Sequence, residues 1–400
     1  MVKSIFLVNF RLHKNKFYMY PLHPLFAISI FLIALSTGYV IQRIAKPVET
    51  TARYQSIDGL RGFLALSVFI HHASIWHHYL ATKGIWIAPD SNLYNQLGQT
   101  GVTLFFMITS FLFVSKLLNT NEGEFDWHYF FRSRLVRLAP MYYFSVILII
   151  LICMTITQWT LNVSFSEFFS SVFSWVIFTV NKQDLINNFQ NTNFVNAGVV
   201  WSLPCEWLFY FTLPIIGLFV LRKKPSLFYI LISVVFVVNF FNQHWLTSDV
   251  VYSFVGGTIA PVLNKYSKFF KQWSTSLPAS IIVLVCFFSI GLFFTTNDIV
   301  CKLIIIVLFT LVAGGNTVFG LLKSSTLKLL GDISYSTYLL HGIILFIIFY
   351  FLIGLDTVAA YSPLKYCLVV FAITPLVVII SYLGFRLIEK PFMNRFNKRI

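Results

Sequence analysis

Charged side chains are scarce in this sequence. They make up 11% of its 400 residues, and only 14 of them are acidic. A soluble domain needs roughly 25% charged residues to cover its surface, so a water-soluble globular fold is excluded. Cysteine is scarce too. Cys153, Cys205, Cys286, Cys301 and Cys367 are scattered, odd in number and mostly inside apolar runs. That excludes a disulfide framework, offers no paired spacing for a metal, and reads as buried thiols. There is no internal repeat of the kind many transporters show, and no stretch is long enough to form a separate soluble domain.

What the chain has is apolar sequence: 58% of it is hydrophobic, in blocks of about twenty residues, enough to cross a bilayer of about 30 Å as helices. Weak alternation within the blocks argues against a β-barrel. The expected fold is all-α, a polytopic membrane helix bundle. Apolar segments lie near 22–42, 60–80, 98–118, 139–158, 166–180, 199–221, 227–242, 250–264, 278–296, 299–320, 333–354 and 363–386.

The formal charge of +15 does not point to nucleic acid, because Lys and Arg sit in short clusters between apolar blocks, as the positive-inside tendency predicts. The clusters are Arg43 to Arg61, Arg132 to Arg137, Arg222 to Lys224, Lys265 to Lys271, Lys323 with Lys328, and the tail Lys390 to Arg399. All six lie on the cytoplasmic side only if 166–180, short and carrying Glu167 and several serines, is a partial or surface helix. The segments from 60 onward then make ten crossings. The first run, 22–42, follows Arg11, Lys14 and Lys16 and is too long for a signal peptide. It either crosses against the charge rule or lies along the membrane. The expected organisation is an N-terminal extension (1–53) with one apolar helix, a transmembrane domain (54–393) and a basic cytoplasmic tail (394–400), with the Asn-rich stretch 181–197 outside.

Ionisable side chains inside a bilayer are costly, which makes each a functional candidate. In Ser-Ile-Asp-Gly-Leu-Arg-Gly (56–62), Arg61 precedes His72 by eleven positions, three helical turns or about 16 Å along one face. An Arg at the cytoplasmic mouth can hold a phosphate through paired hydrogen bonds, and a buried imidazole can take a proton from a hydroxyl. His71 beside it either joins the site or ties neighbouring helices. Glu206 lies about 10 Å below the outer face, at a depth similar to His72, so the two are expected to share one cavity. Pro204 is expected to break the hydrogen-bond ladder there. His341 lies near mid-membrane. Arg134 and Arg137, on adjacent turns before a helix expected to begin near Pro140, are candidates for donor phosphates. Asp58, Trp201, Ser202 and Tyr335 complete the expected lining.

These residues together resemble acyltransferase family 3, the bacterial membrane enzymes that O-acetylate surface glycans. The resemblance is carried by Ile57-Asp58-Gly59-Leu60-Arg61-Gly62 with His72, by Gly101 to Phe106, by Arg134 to Tyr142, by Trp201 to Tyr210, by the Leu-Gly-x-Ile-Ser-Tyr-Ser-x-Tyr-Leu run at 330–339, and by Glu389-Lys390-Pro391. Six motifs in the same order run from about 54 to 393. The departures are Thr109-Ser110-Phe111 for Ser-Gly-Phe, Trp207 for a second Glu, and Ser133-Arg134 for a paired Arg. The fused esterase-like domain of some members is not expected here.

The resemblance implies acyl-CoA, acetyl-CoA above all, as donor, with no metal. It implies a carbohydrate hydroxyl, on a glycan or glycolipid, as acceptor, and a multi-pass location in the inner (cytoplasmic) membrane. On this reading Arg61, Arg134 and Arg137 receive the donor, and His72 and Glu206 serve catalysis. The competing reading is a transporter of a small anion or sugar, which would account for buried charges without chemistry.

Overall fold

The computed structural model describes residues 20–45, 54–82, 84–120, 125–180, 182–221, 223–241 and 247–397. Arg11, Lys14, Lys16, Lys46, Arg53, Arg222, Lys398 and Arg399 of the basic clusters fall outside these residues. The described residues form helices joined by turns, with no strand among them. In order they are α1 (Pro24–Ile44), α2 (Gln55–Ala81), α3 (Asn92–Asn119), α4 (Trp127–Ile156), α5 (Phe165–Val176), α6 (Ser202–Val220), α7 (Leu227–Phe241), α8 (Ser248–Gly257) and α9 (Ile259–Tyr266). There follow α10 (Lys268–Ser274), α11 (Leu277–Phe293), α12 (Ile299–Ala313), α13 (Ser325–Asp332), α14 (Ser334–Phe346), α15 (Leu355–Ala359), α16 (Pro363–Gly384) and α17 (Lys390–Asn397).

Six of these stretches are long and apolar enough to cross a bilayer, on α1, α3, α4, α6, α14 and α16. Their outward faces carry large apolar side chains such as Leu32, Ile147, Leu151 and Leu376, a surface stable only against lipid. This is a multi-pass membrane protein. The ten core crossings expected from charge are reached only by adding α2, the shorter α7 and α12, the consecutive α8–α9, and the α10–α11 pair bent by 69°. Length and composition do not establish that count.

Segment 166–180 yields only α5, twelve residues or about 18 Å, too short to cross. Ser164 and Glu167 close a reciprocal capping box at its start. Its Phe165, Phe169 and Phe173 are exposed, as suits a surface helix. The first helix runs the height of the bundle. At its start the His23 carbonyl accepts from Tyr94 Oη, while at its end the Gln42 amide donates to the Ser325 carbonyl. It packs along α16 and against α13.

The Asp-Gly-Leu-Arg-Gly run lies inside α2, not ahead of it. Its glycines are there for contact. A Cβ on Gly59 would stand 2.1 Å from the Leu322 carbonyl oxygen and one on Gly62 2.4 Å from that of Leu327, while across the contact one on Gly331 would meet the Asp58 carbonyl oxygen at 2.0 Å. Backbone cannot yield as a flexible side chain can, so Gly331→Val is expected to cost about 3 kcal/mol or more. The check is the thermal midpoint of the purified protein in detergent. An unchanged midpoint would mean that α13 does not press on α2.

Candidate active site

Helix α2 carries both Arg61 and His72, yet they open onto different cavities. The first, about 870 Å³ with its open mouth included, is lined by Arg61, Arg134, Arg137, Ser202, Glu206, Tyr210 and Tyr335 among others. The second, about 920 Å³ on the same measure, is lined by His71, His72, Gln99, Thr103, Trp201, Asp249 and Asn297 among others. Val102, Phe106 and Tyr338 line both. A wall of side chains is all that separates a cationic chamber from an imidazole chamber.

The tautomers in the second chamber follow from what each ring nitrogen touches. His341 Nδ1 lies 2.8 Å from the Thr337 carbonyl oxygen. A carbonyl only accepts, so this nitrogen carries the proton, and in the neutral ring Nε2 is left as an acceptor. His72 Nδ1 lies 2.9 Å from that Nε2 and must therefore donate. The neutral His72 ring then keeps its lone pair on Nε2. A carbonyl fixes one imidazole and that imidazole fixes the next, an arrangement that prepares a base. His341 is fully buried and touches neither chamber. It acts on His72.

Glu206 is not in the chamber of His72. The chain turns through a 3-10 segment at Val199–Trp201 before α6 starts at Ser202. From there Ser202, Glu206 and Tyr210 follow at i, i+4 and i+8, one helix face, and all three face the arginines. Tyr210 Oη donates a short hydrogen bond to Glu206 Oε1. Trp201, about a quarter turn away, lines the imidazole chamber. Pro204 also differs from expectation. It sits in the first turn of α6, where no intrahelical bond is lost. The interior proline is Pro214.

Helix α4 likewise begins well before Pro140, at Trp127, where the Asp126 side chain caps the Tyr129 amide. Arg134 and Arg137 thus project from a formed helix. The Arg134 guanidinium lies 4.8 Å from the Phe113 ring centroid, with Tyr210 and Glu206 as its polar neighbours. Tyr335 Oη donates to the Leu138 carbonyl at 3.0 Å. Asp58 lines neither chamber. It acts on Arg61 from the same helix, together with Asp332 and Glu389. At the end of α13, burial pushes the Asp332 carboxyl up to about 6, against the pull of Arg61. Glu389, from the closing Glu-x-Pro run, is buried and accepts a short bond from Ser336 Oγ.

Residues 54–386 match the family model of an acyltransferase domain, that of acyltransferase family 3. The chain belongs to this family. No curated protein and no solved structure matches it. Two chambers meeting at one wall suit an acyltransferase, which must bring an acyl donor and a nucleophile to one point. It is the family match that favours this reading over a transporter.

Several residues of this acyltransferase's chambers escaped the sequence. Tyr210 stands four positions after Glu206 and Tyr338 three before His341, spacings that share a helix face and would have flagged both. Asp249 and Asn297 lie near helix starts far apart in sequence, and no local pattern marks them.

Proposed function

We propose that this acyltransferase moves an acetyl, or similarly small acyl, group from acyl-CoA to a hydroxyl of a carbohydrate. The acceptor would be a surface polysaccharide, lipopolysaccharide or oligosaccharide, and the site of action the inner (cytoplasmic) membrane. The observation that carries this reading is the wall shared by the two chambers. Acyl-CoA enters at the basic, cytoplasmic end, where Arg61, Arg134 and Arg137 meet its phosphates. From Arg61 to His72 is about 16 Å of helix, a distance suited to an extended pantetheine arm, so the thioester arrives at the wall. The acceptor enters from the opposite end, beside Trp201, a residue 36% exposed whose ring suits stacking against a sugar.

In the transfer step His72 Nε2 takes the proton of the acceptor hydroxyl as its oxygen bonds to the thioester carbonyl carbon. The tetrahedral intermediate then breaks its C–S bond, leaving the acetyl ester, and the departing thiolate takes the proton that His72 had removed, which restores the base. Glu206 and Tyr210 belong to the donor chamber on this reading. There the Glu206 carboxylate offsets part of the arginine charge.

The donor assignment is tested with two thioesters. Arg61→Ala is expected to raise the KM for acetyl-CoA about 10- to 100-fold while leaving acetyl-pantetheine, which lacks the nucleotide phosphates, little changed. Equal loss with both donors would remove the phosphate-holding role of Arg61. Mass spectrometry of the host's surface glycans, with and without the gene, should show a shift of one acetyl group per modified unit. Identical spectra would remove the acceptor assignment.

A further inference from the structure

We infer that the imidazole chamber selects an acceptor with two hydroxyls on adjacent carbons, His71 holding one while His72 takes the proton of the other. The inference rests on the acetyl-transfer reading above and adds the shape of its acceptor. It starts from His71, which that reading leaves idle.

His71 Nδ1 lies 2.7 Å from the Tyr94 carbonyl oxygen. That bond ties α2 to α3, and a tie of this kind needs only one nitrogen. Because the carbonyl only accepts, Nδ1 is the donor and the neutral ring's Nε2 is again an acceptor. Both rings line the same chamber, with centroids 5.1 Å apart. Two acceptor rings this close on one wall can be met by two hydroxyls on adjacent carbons, each bound at about 2.8 Å.

Gly98 gives the His71 ring its place against α3. A Cβ there would stand 2.4 Å from ring Cδ2 and 2.6 Å from Nε2, and Gly98 itself lines the chamber. Asp249 adds a third acceptor. Its Oδ1 is held by Lys302 at 2.5 Å, and its second carboxylate oxygen remains for a ligand. His71, His72 and Asp249 all offer acceptors, and such a trio calls for a ligand that donates. Sugar hydroxyls do so, whereas a carboxylate or sulfate brings only further acceptors. A site built around a hydroxyl also rejects the analogue that lacks it, because its own polar groups are then left unpaired.

The test is made in the host, with the full chain in its membrane and the native glycan as acceptor. NMR of the O-acetylated glycan should place the acetyl on a carbon whose neighbour bears a free hydroxyl. His71→Leu, expressed at the wild-type level, should lower acetyl content about 10-fold or more and spread what remains over more than one position. His71→Gln, which keeps a side-chain acceptor, should restore both amount and position, a rescue that a packing role would not give. Gly98→Ala should reproduce the Leu result and serves if the Leu variant does not accumulate. An acetylated carbon with no hydroxyl on either neighbour overturns the inference. So does wild-type acetylation at the wild-type position in His71→Leu or, if that variant does not accumulate, in Gly98→Ala. A wild-type host whose glycans carry no acetyl ester would fell the transfer reading and this inference together.

Discussion

Replacing His72 with alanine should lower acyl transfer about 10²- to 10⁴-fold while leaving the binding of CoA nearly unchanged. The two effects separate because His72 lines only the imidazole chamber, and the arginines line only the other. Its Nε2 is the lone pair left after the chain of hydrogen bonds from Thr337 through His341 is counted, and alanine supplies no replacement. The measurement is release of free CoA from labelled acetyl-CoA by purified protein with acceptor present, alongside CoA binding to show an intact donor chamber. Full transfer by a folded His72→Ala protein would remove the general-base role and with it the mechanism.

His341→Leu should cost nearly as much, about 10²-fold in kcat, although His341 touches neither chamber. The leucine fills the buried space but cannot accept from His72 Nδ1. The Val68 carbonyl one turn back still reaches the ring, but the acceptor that fixes its orientation from α14 is gone, and the ring is free to turn or to move its proton to Nε2. Either change removes the lone pair from the chamber. Because the loss lies in orientation, the KM for acetyl-CoA should hold, and His341→Gln, whose amide oxygen can accept the same proton, should recover most of the rate. A variant series that tracks side-chain volume instead of accepting capacity would make His341 a packing residue.

Much of this site can be read from the linear chain, for reasons that are local. The eleven-residue step from Arg61 to His72 fixes their separation because both lie on α2, and helical rise is set by backbone hydrogen bonds that tertiary packing does not alter. The shortness of α5 follows from its Ser164 and Glu167 cap and the polar residues around it. Where local reasoning failed, a neighbour decided. Glu206 has the depth to meet His72, but the place where α6 begins turns it toward Tyr210 and Arg134. Pro140 looks like the start of a helix by composition, yet Asp126 caps α4 more than a turn ahead of the arginines. The glycines beside Arg61 show no partner in the linear chain and are the places where α2 meets backbone from Leu322 and Leu327.

The sequence by itself determined that this chain lives in a bilayer, which of its few charges must be buried there, and how far apart those on one helix lie. Each of these depends on composition and on a fixed rise per residue. Only the tertiary structure decided that the charges divide between two chambers and that His341 orients His72. A wall built from α3 and α14, and a hydrogen bond spanning 269 residues, depend on how helices cross, and no stretch of sequence encodes that alone.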